Sequence, residues 1–396
     1  MTTVTMQQPQ AVTDPDARRL HRYIPEFDVL RGVAIVLVVY LHAWFSPWAG
    51  TPHREVVWVH VVHLFGQTAV PVFFFVSAYL LAQDRSPGWQ DFVHRKLSRI
   101  AVPTLVWMVA ALAYEVWQQG GLSGHLMKEF VFFNVAGQYY YLAVLIFFMA
   151  AFWPLRKLPQ RWLGVLAVVA FVANVAMIAW YQGHNVTGDW ATLEYRNPLV
   201  WVSFCAFGFW AGARWESLAW TRRWRWWAFG AMAALAAVYF VRGEAFDAYP
   251  RSYFGVEMFL FSSCALVGYP AMIEMVMRCG RVGRVALAPW RGLSRFAFGI
   301  YLVHMPFFVG YVTTRLVSNN THVNGDYFQL TNSIFLVGFV AAAAFVILVD
   351  RAAPSVANLL LGTNRPRVRP PAMRRVVASG TERPLAAPRK FAERKY

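Results

Sequence analysis

The sequence predicts an all-α, polytopic membrane protein of about ten transmembrane helices with both termini in the cytoplasm. Three observations predict it. Of 396 residues, 58% are hydrophobic and only 14% charged, where an ordinary soluble domain is about a quarter charged. The apolar residues form runs near the roughly 20 residues that a helix needs to cross a bilayer. Lys and Arg alternate in density between successive loops: with a cytoplasmic N-terminus, 31 of the 37 fall on the cytoplasmic side, the bias that orients membrane helices.

Residues 1–26 form a polar cytoplasmic segment without the charged end, short apolar core and small-residue site of a cleaved signal peptide. Residues 27–350 form the membrane domain, with spans at 28–46, 57–82, 99–118, 139–155, 162–181, 198–214, 226–241, 254–277, 296–314 and 331–350. The fourth and seventh are short. Residues 351–396 are a basic tail rich in Pro and Arg, without apolar periodicity; it reads as disordered and drawn to anionic lipid headgroups. The net charge of +17 does not signal a nucleic-acid partner, because the basic residues lie between apolar runs and in the tail. Cys205, Cys264 and Cys279 have no paired spacing, so they read as buried packing residues rather than disulfides or zinc ligands.

The first span, "FDVLRGVAIVLVVYLHAW" from Phe27 to Trp44, carries Arg31 and His42. Ionisable groups in a span are costly unless paired or hydrated, and they mark candidate functional sites. Eleven residues turn a helix by three turns plus about 20° and rise about 16 Å, so both side chains leave one face. That face runs from a cation at the cytoplasmic mouth to an imidazole near mid-bilayer. Asp28, three residues before Arg31, pairs with it or caps the helix.

The third span opens with "DFVHRKLSRIAVPTLVW". Arg95, Lys96 and Arg99 fall on one side of a regular helix, a cluster suited to phosphate or to simple anchoring at the cytoplasmic face. The ninth span, "LSRFAFGIYLVHMPFF", offers Ser294 as its N-cap. It places His304 about 12 Å from its cytoplasmic end, at a depth similar to His42, with Tyr301 on the same side. Glu115 and Glu257 lie near the outer ends of spans three and eight, where a carboxylate is either solvated or able to orient a hydroxyl. His60 and His63 supply only two ligands, so no metal site is predicted. Gln138, Tyr139, Tyr140 and Tyr141 read as an interfacial aromatic belt, or as a sugar-stacking platform.

Taken in order, "FDVLRGVAIVLVVYLHAW", "VPVFFFVSAYLLA", "RKLSRIAVPTLVW" and "LSRFAFGIYLVHMPFF" resemble the integral-membrane acyltransferase type 3 family over roughly residues 22–350. The resemblance implies a ten-helix core that O-acylates sugars or other extracytoplasmic glycoconjugates. It implies an acyl-CoA donor, usually acetyl-CoA, and a site in the inner membrane of a bacterium. Arg31 and His42 match the family's basic residue and histidine, the histidine implied to be essential for transfer. Lys96 and Arg99 match the basic pair opening the third span. The family usually has Arg first, so Arg95 and Lys96 both stand as donor contacts. Tyr301 and His304 match a late "YLxH" signature, and Ala78 replaces a common Gly. A transporter or flippase using intramembrane His and Arg as a substrate or proton path is the rival reading, and a regulatory partner without catalysis is a third.

Overall fold

The structure, a computed structural model, describes residues 23–43, 53–184, 196–246, 255–319 and 327–362, and every regular element among them is a helix. In chain order these are α1 (Pro25–Ala43), α2 (His53–Gly66), α3 (Ala69–Ala82), α4 (Trp89–Gln119), α5 (Gly124–Val131), α6 (Tyr139–Phe152), α7 (Gln160–Gly183) and α8 (Val202–Arg214). They continue with α9 (Thr221–Phe246), α10 (Val256–Arg278), α11 (Gly280–Ser294), α12 (Ala297–Val303), α13 (Val309–Asn319), α14 (Tyr327–Ala352) and α15 (Pro354–Leu361). Residues 1–22 and the tail beyond 362 lie outside the described residues.

Among the described residues, eight helical stretches are long and apolar enough to cross a membrane: Val57–Ala82, Trp89–Gln119, Tyr139–Lys157, Gln160–Gly183, Leu218–Gly243, Val256–Arg278, Ala297–Arg315 and Phe328–Ala352. The two other predicted spans coincide with α1, whose first two turns hold Glu26, Asp28 and Arg31, and with α8, which has only 13 residues. The seventh span, expected to be short, is the 26-residue α9.

Lipid tails are as apolar as leucine, so close packing and interhelical hydrogen bonds must hold such helices together. The most extensive seam is α8 on α3. Gly208 and Gly212, four apart, lie against the backbone of Phe75 and Tyr79; a Cβ there would come 2.4 and 2.3 Å from their carbonyl oxygens. Gly32 does the same for α1 on α11, where a Cβ would meet the Trp290 carbonyl oxygen at 2.0 Å. Between these seams lies an aromatic interior that includes Phe74, Phe75, Tyr79, Trp201, Phe204 and Phe259, all fully buried. The helices around it, α4, α7, α9 and α14, turn mostly exposed apolar faces outward, as lipid contact requires.

Several sequence expectations change. Ser294 does not cap the ninth span: it ends α11, and its hydroxyl donates to Asp28 on α1 at 3.1 Å. The tail does not begin as coil at 351. Helix α15 packs Ala357 and Leu361 into the core, and the Trp107 indole N–H donates to the Leu360 carbonyl at 2.7 Å. Gly362 follows at φ +59°, close to the Arg99 carbonyl, a position without room for a side chain. Cys279 is exposed, whereas Cys205 is buried as expected.

Candidate active site

Helix α1 and the residue that follows α12 bring the two predicted histidines together. The rings of His42 and His304 lie 5.1 Å apart between centroids at 53°. Tyr301 is adjacent, its ring 5.6 Å from His304. Residues 262 positions apart in the chain thus form one cluster, with Arg31 about 16 Å away along α1.

The cluster sits where the ninth span breaks. Met305 is extended (φ −122°, ψ 139°), which separates α12 from α13. Within a membrane, carbonyls freed by such a break need new donors. Pro306 has no N–H to give the Leu302 carbonyl four residues back, and the Tyr139 hydroxyl donates to it instead, at 2.9 Å. The Gln138 side-chain amide donates to the Met305 carbonyl. The Tyr301 hydroxyl donates in return to the Gln138 carbonyl. The start of α6 therefore clamps the break.

This overturns the belt reading of Tyr139–Tyr141. All three are buried, at 0–5% exposure, and Tyr141 packs edge-on against Tyr301 with centroids 5.3 Å apart. Sequence reasoning missed Gln138 as a clamp, because an aromatic run at a helix start has the same composition in either role.

His304 is fully buried. Its Nδ1 lies 2.8 Å from the Tyr301 carbonyl and 3.2 Å from that of Ile300. Carbonyls only accept, so a neutral His304 carries its proton on Nδ1. Its Nε2 has no hydrogen-bond partner among the described residues, which leaves a lone pair inside the site. His42 is half-buried.

At the opposite end of α1, Arg31 pairs with Asp28 at 2.6 Å, as one of the two sequence options required. Its Nε also reaches the Phe27 carbonyl at 3.3 Å. Phe27 packs on Tyr79 with centroids 4.9 Å apart, so the end of α3 lies beside this mouth. The basic start of α4 departs from regular register through a wide π turn over Val93–Leu97. Arg95 and Lys96 find different partners. Arg95, largely exposed, pairs with Asp91 on its own helix at 3.1 Å, whereas Lys96 reaches Asp84 after α3 at 2.8 Å. Arg99 is exposed and makes no ion pair among the described residues.

The outer carboxylates stand apart from this cluster. Glu257 is buried rather than solvated: Arg242 on α9 pairs with it, and the Gln182 amide lies 3.5 Å away. Glu115 is half-buried near the end of α4 and accepts from Gln119 at 3.3 Å. His63 is 2.8 Å from the Gln67 amide, and His60 is 3.4 Å from the Tyr239 hydroxyl.

No curated protein and no solved structure matches the chain. A family model described as an acyltransferase domain matches residues 24–351, from the start of α1 to the end of α14, and so takes in Arg31, His42, Tyr301 and His304. With membrane-spanning helices and a model match over most of its length, the chain belongs to the integral-membrane acyltransferase type 3 family.

Proposed function

We propose that this membrane acyltransferase moves an acyl group, in the first instance acetyl, from cytoplasmic acyl-CoA to a hydroxyl of an extracytoplasmic carbohydrate or glycolipid. The observation that carries the reading is the meeting of His42 and His304, 5.1 Å apart, on a helix face that leads from the basic mouth at Arg31. In this reading the donor's phosphates rest on the basic end of the bundle and its thioester reaches up to the histidines. One imidazole acts as general base on the acceptor hydroxyl or takes the acyl group first.

His42 is the first candidate for that role. The residue keeps part of its surface exposed, whereas His304 is fully enclosed and fixed by backbone carbonyls. The unpartnered Nε2 of His304 supports a second role, accepting a proton from His42. The proposed placement is the inner membrane of a bacterium, with ten spans and both ends cytoplasmic.

Purified protein in liposomes, given labelled acetyl-CoA and an envelope glycan fraction, should yield an ester in the glycan. His42→Ala should abolish it while insertion and folding are retained. Full transfer by that variant refutes the role of His42, and substrate movement without a new ester favours transport.

A further inference from the structure

Where the donor's nucleotide rests is not set by the α4 motif alone. Asp84, on the loop after α3, is buried at 8% exposure and draws two cations from different elements. Lys96 Nζ lies 2.8 Å from Oδ1, and Arg156, just after α6, lies 3.6 Å from Oδ2. Ser86 donates to the same carboxylate through its N–H at 3.3 Å and its hydroxyl at 3.2 Å, and the Trp153 indole N–H donates at 3.3 Å. Burial alone would raise the Asp84 carboxyl pKa, but Lys96 and Ser86 outweigh it and hold it below the ordinary value. One ionised carboxylate facing two cations leaves a positive excess.

The surroundings suit a nucleotide. The Arg156 guanidinium stacks 4.0 Å over the Trp153 ring, which fixes its plane. Trp153 packs between Phe92 and Trp89, with centroids at 5.4 and 5.3 Å. Trp89 is 45% exposed at the edge of this group. A planar Arg fork held by stacking matches phosphate oxygens better than a mobile side chain does. Arg95, paired one-to-one with Asp91 and 66% exposed, has neither feature.

We propose that Asp84 holds Lys96 and Arg156 together as the phosphate-binding pair for the nucleotide of the donor, and that Trp89 offers a ring face to its base. This rests on the acyl-CoA reading above. It adds Asp84 as a positioning residue and Arg156 and Trp89 as binding residues, and it resolves the choice between Arg95 and Lys96 in favour of Lys96.

The test is isothermal titration of the full chain in nanodiscs with CoA and, separately, with inorganic pyrophosphate. Loss of one charge-assisted contact in Arg156→Gln should weaken CoA binding about ten- to hundredfold. Arg156→Lys should recover part of it. Trp89→Ala should weaken CoA about fivefold or more, by loss of stacking, and leave pyrophosphate unchanged. Glu274 likewise joins two cations, Arg222 and Arg278, with neither guanidinium stacked on a ring among the described residues, so Arg222→Gln controls for loss of charge alone. Wild-type CoA affinity in Arg156→Gln, or an equal loss in Arg222→Gln, overturns this site and leaves the donor reading standing. No CoA binding by the wild-type protein overturns both.

Discussion

Gln138→Met isolates what the clamp on the ninth span contributes. Methionine is close in length and shape to glutamine but cannot donate to the Met305 carbonyl. The Tyr301 bond survives, because it ends on the backbone carbonyl of residue 138. The Tyr139 bond to the Leu302 carbonyl also survives. One buried carbonyl beside the broken helix therefore loses its donor. Leaving such a group unsatisfied costs about 1–3 kcal/mol in a protein interior, and interhelical hydrogen bonds in membranes average about 0.6 and reach about 1.7 kcal/mol. The expected loss of stability is thus about 0.5–2 kcal/mol, measurable by chemical unfolding in mixed micelles.

The effect on transfer should be larger than that figure suggests. His304 immediately precedes the freed residue, and a shift of about 1 Å in a catalytic group costs roughly a hundredfold in rate. The assay is acetyl transfer by protein in liposomes, with the folded fraction measured in parallel. Unchanged stability together with an unchanged rate would refute the reasoning that Gln138 holds the break. A fall in stability with the rate per folded molecule intact would make Gln138 structural only.

Other expectations follow from the same geometry. Gly32→Val should destabilise the protein by about 1–3 kcal/mol or more, because its Cβ meets backbone of Trp290 at 2.0 Å, whereas Gly230→Ala, with open space around it, should be neutral or slightly stabilising in thermal unfolding. Arg242→Leu strips the buried Glu257 of its cation and should cost about 1–3 kcal/mol, with most of it recovered when Glu257→Leu is added. Asp84 has a depressed carboxyl pKa, so its stabilisation is complete above the ordinary value of about 3.9 and is lost as pH falls through the lower folded value. Asp84→Asn should therefore be less stable than wild type at pH 7, and the difference should shrink below about pH 4 in a pH-dependent unfolding series.

The apolar runs, the alternation of charge and the positions of Arg31, His42, Tyr301 and His304 are all written in the chain, because each depends only on length, composition or helical spacing. They determine a helical membrane protein with ionisable groups on two particular spans. The sequence could not say that the two spans place those groups side by side, since contact between residues 42 and 304 is a property of packing. Nor could it say which acid Lys96 meets, because Asp84 lies on another element and their contact is a property of packing. The same limit applied to "QYYY", whose rings are as apolar in a core as at an interface. The break at Met305 gives Gln138 and Tyr139 their buried partners, because its freed carbonyls require donors that water cannot supply inside a membrane, and Tyr140 and Tyr141 are buried by packing on Trp201, Phe74 and Tyr301. The chemistry of the individual residues was local and legible. Their assembly into a site was decided by close helix contacts at Gly32, Gly208 and Gly212 and by the backbone that Gln138 and Tyr139 must satisfy.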